Sequence, residues 1–237
     1  MIRKPNFKLN WKYALGEVFL IFIGISLAIT FQNWNETRKD NNKIKGYLAT
    51  IANNVKSDSL EIVRFISTSQ EKKRQGEKYI AAVRQNKPEF QALMGGLFQF
   101  EEEYLNINDN GFESLKSSGY LSNIQGTPIE VALFDYYSYF DEIHESEVSY
   151  NQYVEAQELE FVKNAASTEL MIMVTDIYLK KRTADLNPKE QKIIAQNFAH
   201  PSIISISLRA GFIESGYKEL LDKGRKLRKL IDKKLAK

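Results

Sequence analysis

Cysteine is absent from the 237 residues. That excludes a disulfide scaffold, a cysteine-ligated zinc site and thiol chemistry. Proline is scarce, with 5 residues in all, which favours long helices over a turn-rich β fold. Histidine occurs only at His144 and His200. No G-x-x-x-x-G-K-[ST], G-x-G-x-x-G or G-x-S-x-G pattern is present, so the P-loop, dinucleotide and nucleophile-elbow signatures are missing. The expectation is a protein without enzymatic activity and without a cofactor.

Hydrophobic residues make up 43% of the chain and charged residues 27%, with both signs mixed. Such a chain can bury a core and is not globally disordered. The net charge of +3 is unevenly placed. Arg3, Lys4, Lys8 and Lys12 open the chain with no acid among them, and residues 218–237 hold nine Lys/Arg against three acids. The body between them carries 20 basic and 27 acidic residues. An acidic body with basic ends suits a membrane surface better than nucleic acid.

One stretch is far more apolar than the rest. Between Trp11 and Trp34 the only charged residues are Lys12 and Glu17. As a helix this interval is roughly 34 Å long, against about 30 Å for the hydrocarbon core of a bilayer. Trp11 and Tyr13 at one end and Trp34 at the other fit interfacial aromatic belts. A cleaved signal peptide needs a small-residue site after the apolar run, and Ala28-Ile29-Thr30-Phe31 is a poor one. A buried soluble helix has no need of such flanks. The expected layout is a basic cytoplasmic head at 1–12, a single transmembrane helix at 13–35 and an extracytoplasmic helical bundle at 36–237. The protein would then sit in the inner membrane. Basic residues on the two sides of the span balance, so the orientation rests on the acid-free head.

At about 100° per residue, Glu17, Ile21, Gly24 and Ala28 share one stripe of the span. Gly24-x-x-x-Ala28 is a small-xxx-small pattern that admits a second helix closely. These four residues are the candidate membrane-helix interface, for a second copy or another envelope protein. The competing reading has Glu17 reaching the headgroups and Gly24 incidental.

Gly16-Glu17, Ile23-Gly24-Ile25, Ala28 and the exit Asn33-Trp34-Asn35-Glu36 resemble the start of an uncharacterised family of single-pass membrane proteins found across the Bacteroidota. That family typically reads GE, an IGI-containing span, an alanine and an NNWNE exit. Thr30 and Gln32 depart from its usual glutamine and asparagine. Phe112–Leu121, reading FESLKSSGYL, is similar to the family's YE-x-L-K-x-S-G-x-L element. The resemblance covers the anchor and this one motif. It implies an anchored α-helical domain and no particular activity.

The remainder reads as helices. Ile44, Leu48, Ile51, Val55 and Ile62 recur at helical spacing, with Asp58 interrupting the stripe. This helix is expected to continue from the span and to end at Asn86-Lys87-Pro88. A second helix is expected over about 88–104, although Gly95-Gly96 marks a close crossing. Thr127-Pro128-Ile129-Glu130 opens a long helix, expected to run to about residue 182 with a stripe of Leu133, Tyr137, Phe140, Val148, Leu159, Val162, Ala166 and Met173. Asn187-Pro188-Lys189-Glu190 repeats the same start. Residues 202–208 alternate like a strand, but an isolated strand has no partner, so helix is expected. A C-terminal helix completes an all-α antiparallel bundle.

Four further features invite chemistry or binding. Asp141 and His144 lie one turn apart, yet a di-metal bundle site needs that pairing twice with further glutamates. Asn106–Gly111 is oxygen-rich but lacks the acid that closes a calcium loop. Phe112, Ser114, Lys116, Ser117, Ser118 and Gly119 form a candidate partner or ligand loop, or else plug a helical corner. On the last helix, Lys226, Arg228, Lys229, Lys233, Lys234 and Lys237 are candidate lipid-surface contacts. The function expected is a membrane-anchored interaction or scaffold protein. The alternative is an extracytoplasmic ligand-sensing domain relaying through the span to a partner.

Overall fold

The computed structural model describes residues 11–179 and 185–236, with residues 12–14 described by their backbone alone. The described residues form eight α-helices, two short 3-10 turns and no strand. The all-α class expected from the sequence is the one observed.

Helix α1 runs unbroken from Trp11 to Arg84, 74 residues, or about 110 Å. No proline or glycine pair interrupts it. It ends where Asn86 turns left-handed at φ 51° and Pro88 disfavours helix in the residue before it. Its first part is apolar and lies against nothing: Val18, Phe22 and Leu27 are each about two-thirds exposed. From Ile44 onward one face is buried, through Leu48, Ile51, Val55, Ile62 and Phe65.

Helix α4 (Pro128–Val162) and helix α8 (Glu214–Leu235) complete a three-helix core with α1. Thr127 caps α4 by accepting from Glu130 N, and Pro128 fills its first position. Helix α8 is antiparallel to α1. Gln70 donates to Glu214 at 3.0 Å, a Cβ on Gly224 would meet Val55 at 3.3 Å, and Lys234 lies beside Asn41, Ile44 and Lys45. The chain therefore returns to the level of residues 41–45, a few turns beyond Trp34. We call this end of the bundle its base.

Helix α3 (Asn110–Ser117) and the 3-10 turn Tyr120–Ile124 also sit at the base. The far end is a second cluster built by α2 (Phe90–Leu97), α5 (Ala165–Tyr178), α6 (Pro188–Asn197) and α7 (Pro201–Ser207) around Tyr79 and Phe161. The capping box of Asn187 and Glu190 starts α6 as the sequence predicts. Residues 201–207 are helical, as expected.

Two predicted helices are corrected. The second does not extend to 104: it stops at Leu97, a 3-10 turn follows over Phe98–Phe100, and 101–109 has neither helix nor strand. The long helix does not reach 182. It breaks after Val162, and Asn164 starts α5 by accepting from Ala166 N at 2.9 Å. The predicted stripe fails with it: Leu159 and Val162 are exposed, whereas Ile143, Glu147, Asn151, Val154 and Phe161 are buried.

Candidate functional site

The four stripe residues of the apolar stretch, Glu17, Ile21, Gly24 and Ala28, are all exposed along α1. A Cβ at Gly24 would meet nothing within 4 Å. The stripe is continuous and nothing among the described residues covers it. One described helix is long and apolar enough to cross a membrane, and none of its apolar window is buried. Burial against the rest of the chain, which marks a core helix, is missing here.

The 112–119 element lies at the base and divides into two sets of side chains. Phe112 is buried, stacked on Tyr137 with centroids 4.5 Å apart and edge-on to Phe134 at 5.6 Å. Phe112 therefore belongs to the core and is not available to a partner, which corrects its place among the loop candidates. Leu115 and Ile124 are buried with it. Ser114, Lys116, Ser117, Ser118 and Gly119 are exposed. Gly119 adopts φ +79°, the left-handed conformation that ends α3 and favours glycine. The chain then returns to α1: Tyr120 Oη donates to Asp40 Oδ1 at 3.1 Å and accepts from Lys43 Nζ at 3.0 Å. That bond raises the pKa of Lys43.

The irregular segment 101–109 is the feature sequence reasoning missed. A segment without helix or sheet partners must satisfy its main chain otherwise, and here buried side chains of α1 and α4 do so in turn. Lys72 Nζ donates to Glu101 O. Asn151 Nδ2 donates to Glu103 O at 2.9 Å. Leu105 N donates to both oxygens of Glu147, at 3.1 and 3.2 Å. Asn108 N donates to Asp58 Oδ1 at 3.0 Å. Each of the four side chains is buried. Tyr217 Oη adds a 2.6 Å bond to Glu147, and Tyr136 Oη a 3.3 Å bond to Asp58.

Burial governs the electrostatics of this clamp. Desolvation pushes the Asp58 carboxyl up to about 6, opposed by the bonds from Asn108 and Tyr136. It pushes Glu147 up as well, and pushes Lys72 down. His144 Nδ1 lies 3.7 Å from Glu147 Oε2, one turn away. A small recess of about 40 Å³ adjoins the clamp, lined by Lys72, Glu103, Asn151 and Tyr217 among others, large enough to hold water. The carboxylates hold main chain, and Asp58 also borders an open depression of about 640 Å³ formed with Leu60, Glu61 and residues 106–110.

Elsewhere Asn108 Oδ1 accepts from Asn54 and from Asn110 N, so this amide oxygen ties the loop to itself and to α1. Among the described residues no three His, Asp or Glu converge as metal ligands. An open groove of about 900 Å³ lies between α1, α4 and the 208–212 turn, lined by Lys73, Ser149, Tyr150, Arg209 and Phe212 among others.

The last-helix lysines stand at different heights. Lys234 is beside Asn41, Ile44 and Lys45, whereas the register set by Gly224 against Val55 puts Lys229 and Lys226 roughly one and a half and two turns higher. All of Lys226, Lys229, Lys233 and Lys234 are exposed. Arg228 is partly covered and lies 3.7 Å from Asp232. Lys237 and residues 1–10, with most of the predicted basic head, lie outside the described residues.

Compared with known families, residues 17–160 match the family of unknown function DUF6090, and no curated protein and no solved structure matches the chain.

Proposed function

We propose, for a chain that belongs to the DUF6090 family, the role of a single-pass membrane-anchored scaffold. Its span associates with a second span, and its helical bundle presents a rigid body to the compartment beyond. The observation that carries this reading is the continuity of α1. An apolar stretch with no partner in the chain passes without a break into the buried face of a packed bundle. Covering the apolar stretch with lipid removes its contact with water, and the same helix then fixes the bundle to the membrane.

In this reading residues 13–35 span the inner membrane, the head is cytoplasmic and the bundle extracytoplasmic. The exposed Glu17–Ile21–Gly24–Ala28 stripe meets a second copy or another envelope protein. Gly24 permits close backbone approach, and Glu17 near the interface can donate or accept a hydrogen bond across the pair. The role is one of binding, without catalysis.

Cross-linking in native membranes tests it. Gly24→Leu is expected to abolish the cross-linked species of the wild type, and Glu17→Gln to weaken it by a few-fold. Unchanged species in both variants would remove the stripe as an interface.

The ligand-sensing reading draws on the groove beside Arg209, whose guanidinium stacks over Tyr153 at 4.1 Å beside the exposed Phe212. It predicts a small molecule that raises the melting temperature of the chain. Failure of a broad screen to find one would set it aside.

A further inference from the structure

Three elements converge on the base of the bundle, and they share a charge pattern. Arg38, Lys39, Lys43 and Lys45 project from α1 within three turns of Trp34. The last turn of α8 brings Lys233 and Lys234 to the same level. Segment 118–127, also at the base, carries no charged residue. The acids at or next to this level are Glu36, Asp40, Glu113, Glu130 and Asp232; Glu113 faces Lys116, and Glu130 accepts from Gly126 N. Asp232 faces Arg228, and Asp40 is engaged by Tyr120. Lys233 and Lys234 make no ion pair among the described residues.

Height selects which of these cations matter. Arg38 and Lys39 stand about 6–8 Å beyond Trp34 along the helix axis, and residues 43–45 about 13–17 Å. Arg38 stacks over the Trp34 ring at 5.9 Å, which places a guanidinium beside the interfacial aromatic itself. The register of α8 puts Lys229 and Lys226 about 24–28 Å up. The Debye length is about 8 Å at physiological salt. Arg38 and Lys39 lie within about one such length of a surface at Trp34, Lys43, Lys45, Lys233 and Lys234 about two lengths out on side chains long enough to reach down, and the upper pair about three lengths or more.

From this geometry we infer that Arg38, Lys39, Lys43, Lys45, Lys233 and Lys234 form a basal ring that binds the anionic headgroups of the bilayer that α1 enters. The ring holds the bundle upright on its own membrane. Arg38 supplies a planar donor fork for phosphate, and the lysines supply point charges around it. The inference rests on the reading of residues 13–35 as a span. It narrows the lipid contacts suggested by the sequence to those low on the bundle and adds four from α1.

The test uses the full chain in nanodiscs of phosphatidylcholine alone and of phosphatidylcholine with phosphatidylglycerol at about 7:3. Amine acetylation of each lysine is followed by mass spectrometry. Lys39, Lys233 and Lys234 are expected to react about 3-fold more slowly in the anionic discs, and 0.5 M salt, roughly a 4 Å Debye length, is expected to abolish the difference. Lys226 and Lys229 should react alike in both. In the Lys233→Glu/Lys234→Glu chain, the slowing at Lys39 should shrink. Equal rates at the basal lysines, or equal slowing at the upper pair, would overturn the ring. A chain that enters discs but shows either result loses only this inference. A chain that never enters them loses the span, and the ring with it.

Discussion

Asp58 occupies a position that helical spacing reserves for an apolar side chain. It lies on the stripe of Leu48, Ile51, Val55 and Ile62, and it is 4% exposed. The carboxylate is retained there because Asn108 N and the Tyr136 hydroxyl bond it. Desolvation still holds its pKa near 6. The folded state therefore binds more protons than the unfolded chain between the ordinary carboxylate value and about 6. Stability contributed by this residue falls as pH rises through that interval, by about 3 kcal/mol at most. Glu147, also raised by burial, acts in the same direction. Asp58→Asn keeps an acceptor for Asn108 N and carries no charge. It is expected to stabilise the protein by about 1–3 kcal/mol at pH 7.5, with the advantage falling to about a third near pH 4.5 and vanishing below the ordinary carboxylate value. Urea unfolding of both proteins across that range measures the gap, and a gap independent of pH would refute the assignment.

Among the elements, α1 and α7 cross at Gly76. A Cβ there would stand 2.8 Å from the Ser207 carbonyl oxygen and 3.0 Å from Ala210 Cβ. Alanine in an exposed helix would stabilise by about 0.5–1 kcal/mol, but here the main chain of α7 must move. Gly76→Ala is expected to lower stability by about 1–2 kcal/mol net, seen as a lower melting temperature with unchanged helix content. The sequence shows Gly76 only as a weak point in a helical pattern. The crossing that requires it becomes visible with the fold.

The same contrast runs through the other helices. Where a local rule suffices, the reading succeeds: Thr127-Pro128-Ile129-Glu130 and Asn187-Pro188-Lys189-Glu190 start helices because cap, fixed φ and N3 acid act within four residues. The heptad-like run from Ile44 is legible because apolar residues face the core. The separate stripe of α4 fails beyond Tyr137 because that helix turns Glu147 and Asn151 inward to hold a neighbour's main chain. An irregular segment that bonds to side chains on two helices leaves no periodic trace. Glu101–Glu103 and the loop after it therefore looked like a helix end and a calcium-like loop.

At the scale of the whole molecule, the apolar stretch contributes nothing to the core. The innermost buried side chain of α1 is Ile44, ten residues past Trp34. A chain beginning at residue 37 is expected to fold cooperatively in water, with a melting temperature within about 5 °C of the full protein in detergent. Circular dichroism and sedimentation would check this. A melting temperature well below that range, or an aggregated product, would show that the first part supports the bundle directly. The full chain, in contrast, exposes a run of Val, Ile, Leu and Phe too long for an aqueous surface.

The unjointed α1 has a mechanical consequence. Fifty residues separate Trp34 from Arg84, a mast of about 75 Å with its foot in the apolar zone and the Tyr79–Phe161 cluster near its top. Spans lean by about 0–40° to match bilayer thickness, and a lean of about 10° at the foot would carry the masthead sideways by about 13 Å. With α1 spanning a bilayer as proposed, a change in that bilayer's thickness would be read out as a lateral sweep far above it.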